Sequence, residues 1–75
     1  DVLVEIEAID YEVALERARA ALARAESEYA RASKDLERLR GLAKTGVASA
    51  SQLDDAERGE RVTAAGLREA RAVLA

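Results

Sequence analysis

The 75-residue chain has no cysteine, histidine, proline, methionine, tryptophan or phenylalanine. Without cysteine there is no disulfide and no thiolate nucleophile, although this absence assigns no compartment. With histidine also missing, most transition-metal sites lose their ligands and the hydroxyl side chains lose the usual general base. Catalysis, a metal site and a cofactor are therefore not expected, and the carboxylates fall along solvent-facing helix stripes rather than in a pocket. The only aromatic residues are Tyr11 and Tyr29, so the large side chains that fill a globular core are scarce. No apolar run reaches the roughly 18 residues of a membrane span, and this segment is not expected to insert into a bilayer. No signal peptide or lipidation motif is visible. The chain opens on Asp1-Val2-Leu3 rather than on Met, which reads as a piece of something longer. Nor is one sign of charge in excess: 15 acidic and 12 basic residues give a net charge of -3. The basic residues are interspersed with acids, so there is no electrostatic footprint for nucleic acid or anionic lipid.

Alanine, leucine, glutamate and arginine dominate, with 18 alanines alone. This is the composition of long helices and coiled coils. Residues 1–9 stand apart. Val2, Val4 and Ile6 would share one face of an extended chain, and their β-branched character suggests a strand without a partner in this sequence, severed from a sheet. From Asp10, a plausible N-cap, the period changes. Leu15, Leu22, Tyr29 and Leu36 recur every seven residues, and Tyr11, Ala18, Ala25, Ala32 and Leu39 form a second series of period seven. That is a heptad seam with no proline to interrupt it. It predicts a first helix over about 10–44, closed by Lys44-Thr45-Gly46. At about 1.5 Å per residue, such a helix is about 50 Å long.

A turn over about 45–48 leads to a second helix over about 49–75. Ser49 and Gln52 have the spacing of a capping box. Leu53, Ala56, Thr63, Leu67, Ala70 and Leu74 form its apolar stripe, with Glu60 filling the gap. So short a connection makes the helices antiparallel neighbours. Pairing positions whose numbers sum to 92 sets Leu39 against Leu53, Leu36 against Ala56, Tyr29 against Thr63, Ala25 against Leu67 and Ala18 against Leu74. Large then faces small nearly throughout. Tyr11 and Leu15 would need partners near positions 81 and 77, so the second helix reads as cut short by about two turns. Glu60 is expected to reach out of the seam beside Ala32 and pair with a neighbouring arginine. Gly59 and Gly66 either permit a close helix contact or are simply tolerated. Asp54-Asp55 reads as an acidic N-terminal turn. The expected fold class is all-α: an antiparallel two-helix coiled-coil hairpin with a short N-terminal extended segment. Its structural seam is Leu15, Leu22, Tyr29, Leu36, Leu39, Leu53, Leu67 and Leu74.

The lead-in Leu3-Val4-Glu5-Ile6-Glu7-Ala8-Ile9-Asp10-Tyr11 resembles the HlyD-like periplasmic adaptors, also called membrane fusion proteins. In that family a strand of a lipoyl-like (barrel-sandwich) domain runs into the first hairpin helix, usually through Asp-Pro where this chain has Glu7-Ala8. At the midpoint, Arg38, Leu42 and Ser49 stand at the spacing that members docking on TolC-like ducts carry at the hairpin tip, followed by Gln52, Leu53, Asp54 and Ala56. The resemblance implies a remnant lipoyl-domain strand at 1–9 and an α-helical hairpin at 10–75. It further implies partner binding by Arg38, Leu42 and Ser49, through a guanidinium, an apolar knob and a hydroxyl. The implied role is that of a periplasmic adaptor in a tripartite efflux or secretion pump. Such an adaptor is held at the inner membrane, joins an outer-membrane channel to an inner-membrane transporter (of RND rather than ABC type), and assembles in rings of six. In such a ring Glu16, Arg17, Arg24, Glu28, Arg31 and Glu37 could pair between neighbouring hairpins.

The residues by themselves leave plainer alternatives open. Ser49 can be an N-cap and nothing more. Arg38 can pair with Glu37, Asp35 or Asp54, and Leu42 can pack on Val47 to close the loop. The whole chain can be a generic coiled-coil spacer or chaperone-like arm of an unrelated protein, with no special tip.

Overall fold

The computed structural model describes residues 2–74, and the surroundings of the side chains over 9–74. Two helices, α1 (Val2–Lys44) and α2 (Ala50–Leu74), make up the described chain. They lie antiparallel in a rod of 67 × 15 × 13 Å. Its radius of gyration is 18.6 Å, against about 11 Å for a compact domain of this length. This elongation follows from the composition: alanine-rich helices with a single apolar stripe each can bury one seam but cannot wrap a third dimension.

Burial follows that stripe. Leu36 and Leu67 are the buried residues, at 2% and 7% exposed. Leu15, Leu22, Tyr29, Leu39, Leu53 and Leu74 are half-buried, as are Ala18, Ala25, Ala32, Ala56, Thr63 and Ala70. Shallow grooves between the arms show which stretches face each other. Ala32 and Leu39 of α1 line one groove with Gln52, Asp55, Ala56 and Gly59 of α2, and Leu15 and Ala18 line another with Val73 and Leu74. Thr63 enters the seam without leaving a polar atom stranded. Its hydroxyl lies 2.9 Å from the Gly59 carbonyl and 3.0 Å from the Glu60 carbonyl of its own helix, a shared back-bond. No buried side-chain polar atom among the described residues lacks a partner.

The structure departs from the sequence reading in four places. Residues 2–9 are not an extended segment; they continue α1, and Asp1 lies outside the described residues. A lone strand leaves its N–H and C=O groups without a ladder, whereas a helix satisfies them from its own neighbours. Asp10 is consequently not an N-cap but an exposed residue inside α1. Glu60 is half-buried and forms no ion pair among the described residues. Positions three and four away from it are Ala56, Glu57, Thr63 and Ala64, so its own helix presents no arginine on that face. Finally, the first turn of α2 holds no acid. Asp54 and Asp55 sit one turn further in, where Asp55 approaches Arg58 at 4.0 Å.

Because α1 is the longer helix, its N-terminal part extends past the last turn of α2. Ile9, Tyr11 and Val13 on that part are 59%, 69% and 45% exposed. Of the two readings for Gly59 and Gly66, a close contact within the hairpin is excluded, since a Cβ built at either position meets nothing within 4 Å.

Candidate docking tip

The hairpin turns through a helix C-cap and a helix N-cap placed back to back. Gly46 adopts φ of 79°, the left-handed conformation that glycine takes without a Cβ penalty. The Gly46 N–H then donates to the Ala43 carbonyl at 3.1 Å, and the Val47 N–H to the Leu42 carbonyl at 2.9 Å. This is the Schellman pair of bonds that closes a helix. Two further donors converge on the Leu42 carbonyl, the Ala48 N–H at 3.3 Å and the Thr45 hydroxyl at 2.9 Å. Sequence reasoning placed Gly46 but missed Thr45. Its only signal is a hydroxyl three residues beyond Leu42, within reach of a carbonyl the helix leaves free.

Ser49 opens the second arm. Its Oγ accepts the Gln52 N–H at 3.1 Å, and its own N–H donates to Gln52 Oε1 at 2.9 Å. This reciprocal box satisfies two of the orphan donors at the start of α2. The Leu53 N–H adds a bond to the Ser49 carbonyl at 3.1 Å. The turn is thus fixed by backbone groups together with the Thr45, Ser49 and Gln52 side chains.

Arg38 and Leu42 are one helical turn apart on α1 and Ser49 begins α2, so the fold brings all three to one end of the rod. Leu42 is 37% exposed and Val47 is 71% exposed. Arg38 pairs with Asp35, one turn back, at 3.5 Å, with the two side chains 69% and 49% exposed. A pair this exposed contributes roughly 0–1 kcal/mol and leaves the guanidinium free to exchange partners. Beside it, Asp35 and Arg38 line an open groove with Gln52, Asp55 and Gly59 of the other arm.

No group of three or more potential metal-ligating side chains occurs among the described residues. No described helix is long and apolar enough to cross a membrane. What the end of the rod offers is a partly exposed leucine, a cation and a hydroxyl close to a capped turn.

No curated protein and no solved structure matches the chain. The family model described as "RND MFP, alpha-helical hairpin domain" matches residues 14–75, a span that contains both arms of the paired seam and the whole tip. With its seam, its turn and this match in agreement, the chain belongs to the RND membrane fusion proteins, as their α-helical hairpin region.

Proposed function

We propose that this hairpin is the docking arm of a periplasmic adaptor, and that its tip binds a TolC-like outer-membrane channel while the parent protein engages an inner-membrane RND transporter. Membership of the family makes the coarse role that of an adaptor in RND pumps. The observation that carries the finer reading is the tip itself. Leu42 is partly exposed at one end of a rod 67 Å long, with Arg38 one turn before it on α1 and Ser49 just ahead of α2. A rod of that length spans distance with few residues, and its rigid turn presents the same three groups each time a partner is met. In this reading Leu42 enters a groove between partner helices. Arg38 leaves Asp35 for an acceptor on the channel. Ser49 caps α2 and contacts the partner as well.

The proposal extends to the assembly. Hairpins side by side in a ring of six would set the exposed Glu16, Arg17, Arg24, Glu28, Arg31 and Glu37 of one copy near those of the next. Each such pair is weak, so the ring depends on many together and on the rest of the parent. The base of the hairpin would lead into a lipoyl-like body, and the parent would be held at the inner membrane, facing the periplasm.

The test is Leu42→Asp and Arg38→Asp, made separately in the parent adaptor. Each is expected to abolish pump-dependent resistance while helix content by circular dichroism stays at the wild-type level. Full resistance in both variants refutes the docking role. Cross-linking from position 42 to the outer-membrane channel separates this reading from that of a generic spacer, which predicts no such product.

A further inference from the structure

The two buried side chains do not sit together. Leu36 lies in the tip half, beside the stretch where Ala32 and Leu39 line a groove with Ala56. Leu67 lies in the base half, beside the stretch where Ala25 lines a groove with Gly66 and Ala70. Between these two clamps no residue over 26–35 or 57–66 is buried. There the groove is walled by Ala32 and Asp35 of α1 and by Gly59 and Thr63 of α2. The side chains of that stretch hold the arms poorly. Ala32 is small, Glu60 is a half-buried acid in no ion pair among the described residues, and Thr63 turns its hydroxyl back on its own helix. Tyr29 is the one large side chain of the seam there, and it stays half-buried.

The backbone of α2 is weak over the same stretch for a separate reason. Gly59 and Gly66 bound it, and each is about fivefold less favourable than alanine inside a helix. Packing within the hairpin does not require them, since a Cβ built at either meets nothing within 4 Å. Between them, the Thr63 hydroxyl bonds the Gly59 carbonyl at 2.9 Å and the Glu60 carbonyl at 3.0 Å. Such a back-bond competes with the helical N–H ladder for its acceptors and bends helices. The facing stretch of α1, residues 25–36, carries neither glycine nor proline.

We propose that residues 59–66 of α2 are a joint within the hairpin: they open locally while both clamps stay closed, and the tip half then tilts against the base half on α1 alone. Opening a segment that buries little takes far less free energy than unfolding the whole. The turn lies about 18 Å beyond Ala32 at about 1.5 Å per residue, so a tilt of about 10° moves the tip sideways by about 3 Å. The joint is a property of the hairpin itself and does not depend on the docking reading.

The experiment is nuclear magnetic resonance on the 75-residue chain, with two readouts: amide hydrogen exchange, and residual dipolar couplings in a weakly aligning medium. Protection over 61–66 is expected to be about tenfold or more lower than at 54–58 and 69–71 of the same helix, and lower than at 26–35 of the facing arm. The couplings are expected to need different alignment magnitudes for the tip half and the base half. In the double variant Gly59→Ala/Gly66→Ala, protection over 61–66 should rise about tenfold or more, with little change elsewhere, and both halves should fit one alignment. Gly41→Ala, also free of contacts at its Cβ, is the control and should leave protection over 61–66 unchanged. Uniform protection along α2, or a steady fall from 54 to 74 as fraying from one end gives, would overturn the proposal. So would a single alignment for both halves of the wild type. A rise by the same factor at every amide in the double variant would overturn it as well, because exchange would then run through global unfolding.

Discussion

Replacing Leu36 by Ala removes the most enclosed apolar side chain among the described residues, at 2% exposed. The change deletes three carbons, worth roughly 2.4 kcal/mol at about 0.8 kcal/mol per buried CH₂. A rigid core would add a cavity penalty. Here the site lies between only two helices with solvent on both flanks, so the arms can close part of the gap and the cost should stay near 2–3 kcal/mol. A domain of this length is stabilised by roughly 4–11 kcal/mol in total, so the loss is a large share. The assay is urea unfolding followed by the helical circular dichroism signal. With a slope of about 1 kcal/mol per molar, the midpoint should fall by about 2 M at unchanged slope. Val62→Ala is the control. Val62 is 64% exposed, and its small loss of burial is offset by the better helix propensity of alanine, leaving a change below about 0.5 kcal/mol. A Leu36→Ala cost under about 1 kcal/mol, or an equal cost for Val62→Ala, would refute the claim that this one seam holds the arms together.

Other outcomes follow from the same geometry. Gly59→Ala and Gly66→Ala should each stabilise the hairpin by up to about 1 kcal/mol in the same titration, because the added Cβ meets nothing within 4 Å; destabilisation would mean the arms pack more closely than described. Gly46→Ala should cost about 1–2 kcal/mol and lower the thermal midpoint, since φ of 79° there must be kept for the Schellman bonds to form. Leu42→Asp should lower the urea midpoint less than Leu36→Ala does while resistance is lost altogether, and an equal fall in stability would mark Leu42 as part of the fold rather than of the tip.

Helix content, antiparallel pairing and the two caps were legible in the chain because each has a local cause. Period-seven Leu and Ala make a seam, Gly46 permits a left-handed turn, and Ser49 with Gln52 satisfies the first N–H groups of α2. The candidate tip was legible in part. Arg38, Leu42 and Ser49 could be named from spacing and resemblance, but Thr45 could not, nor could the choice of Asp35 over Glu37 and Asp54 as the partner of Arg38. Both depend on which rotamers reach which atoms across a turn.

Residues 2–9 mark the limit most clearly. Their β-branched pattern is a statement about side chains, whereas a strand also requires a neighbouring strand to take its backbone bonds, and none lies in this sequence. The sequence by itself determined the helical period, where the chain reverses, and which residues could share a seam, because these depend on neighbours within a few positions. Only the tertiary arrangement decided that Leu36 and Leu67 are buried while Leu42 stays in reach of solvent. That outcome turns on which groups the opposite arm covers. No local pattern encodes that.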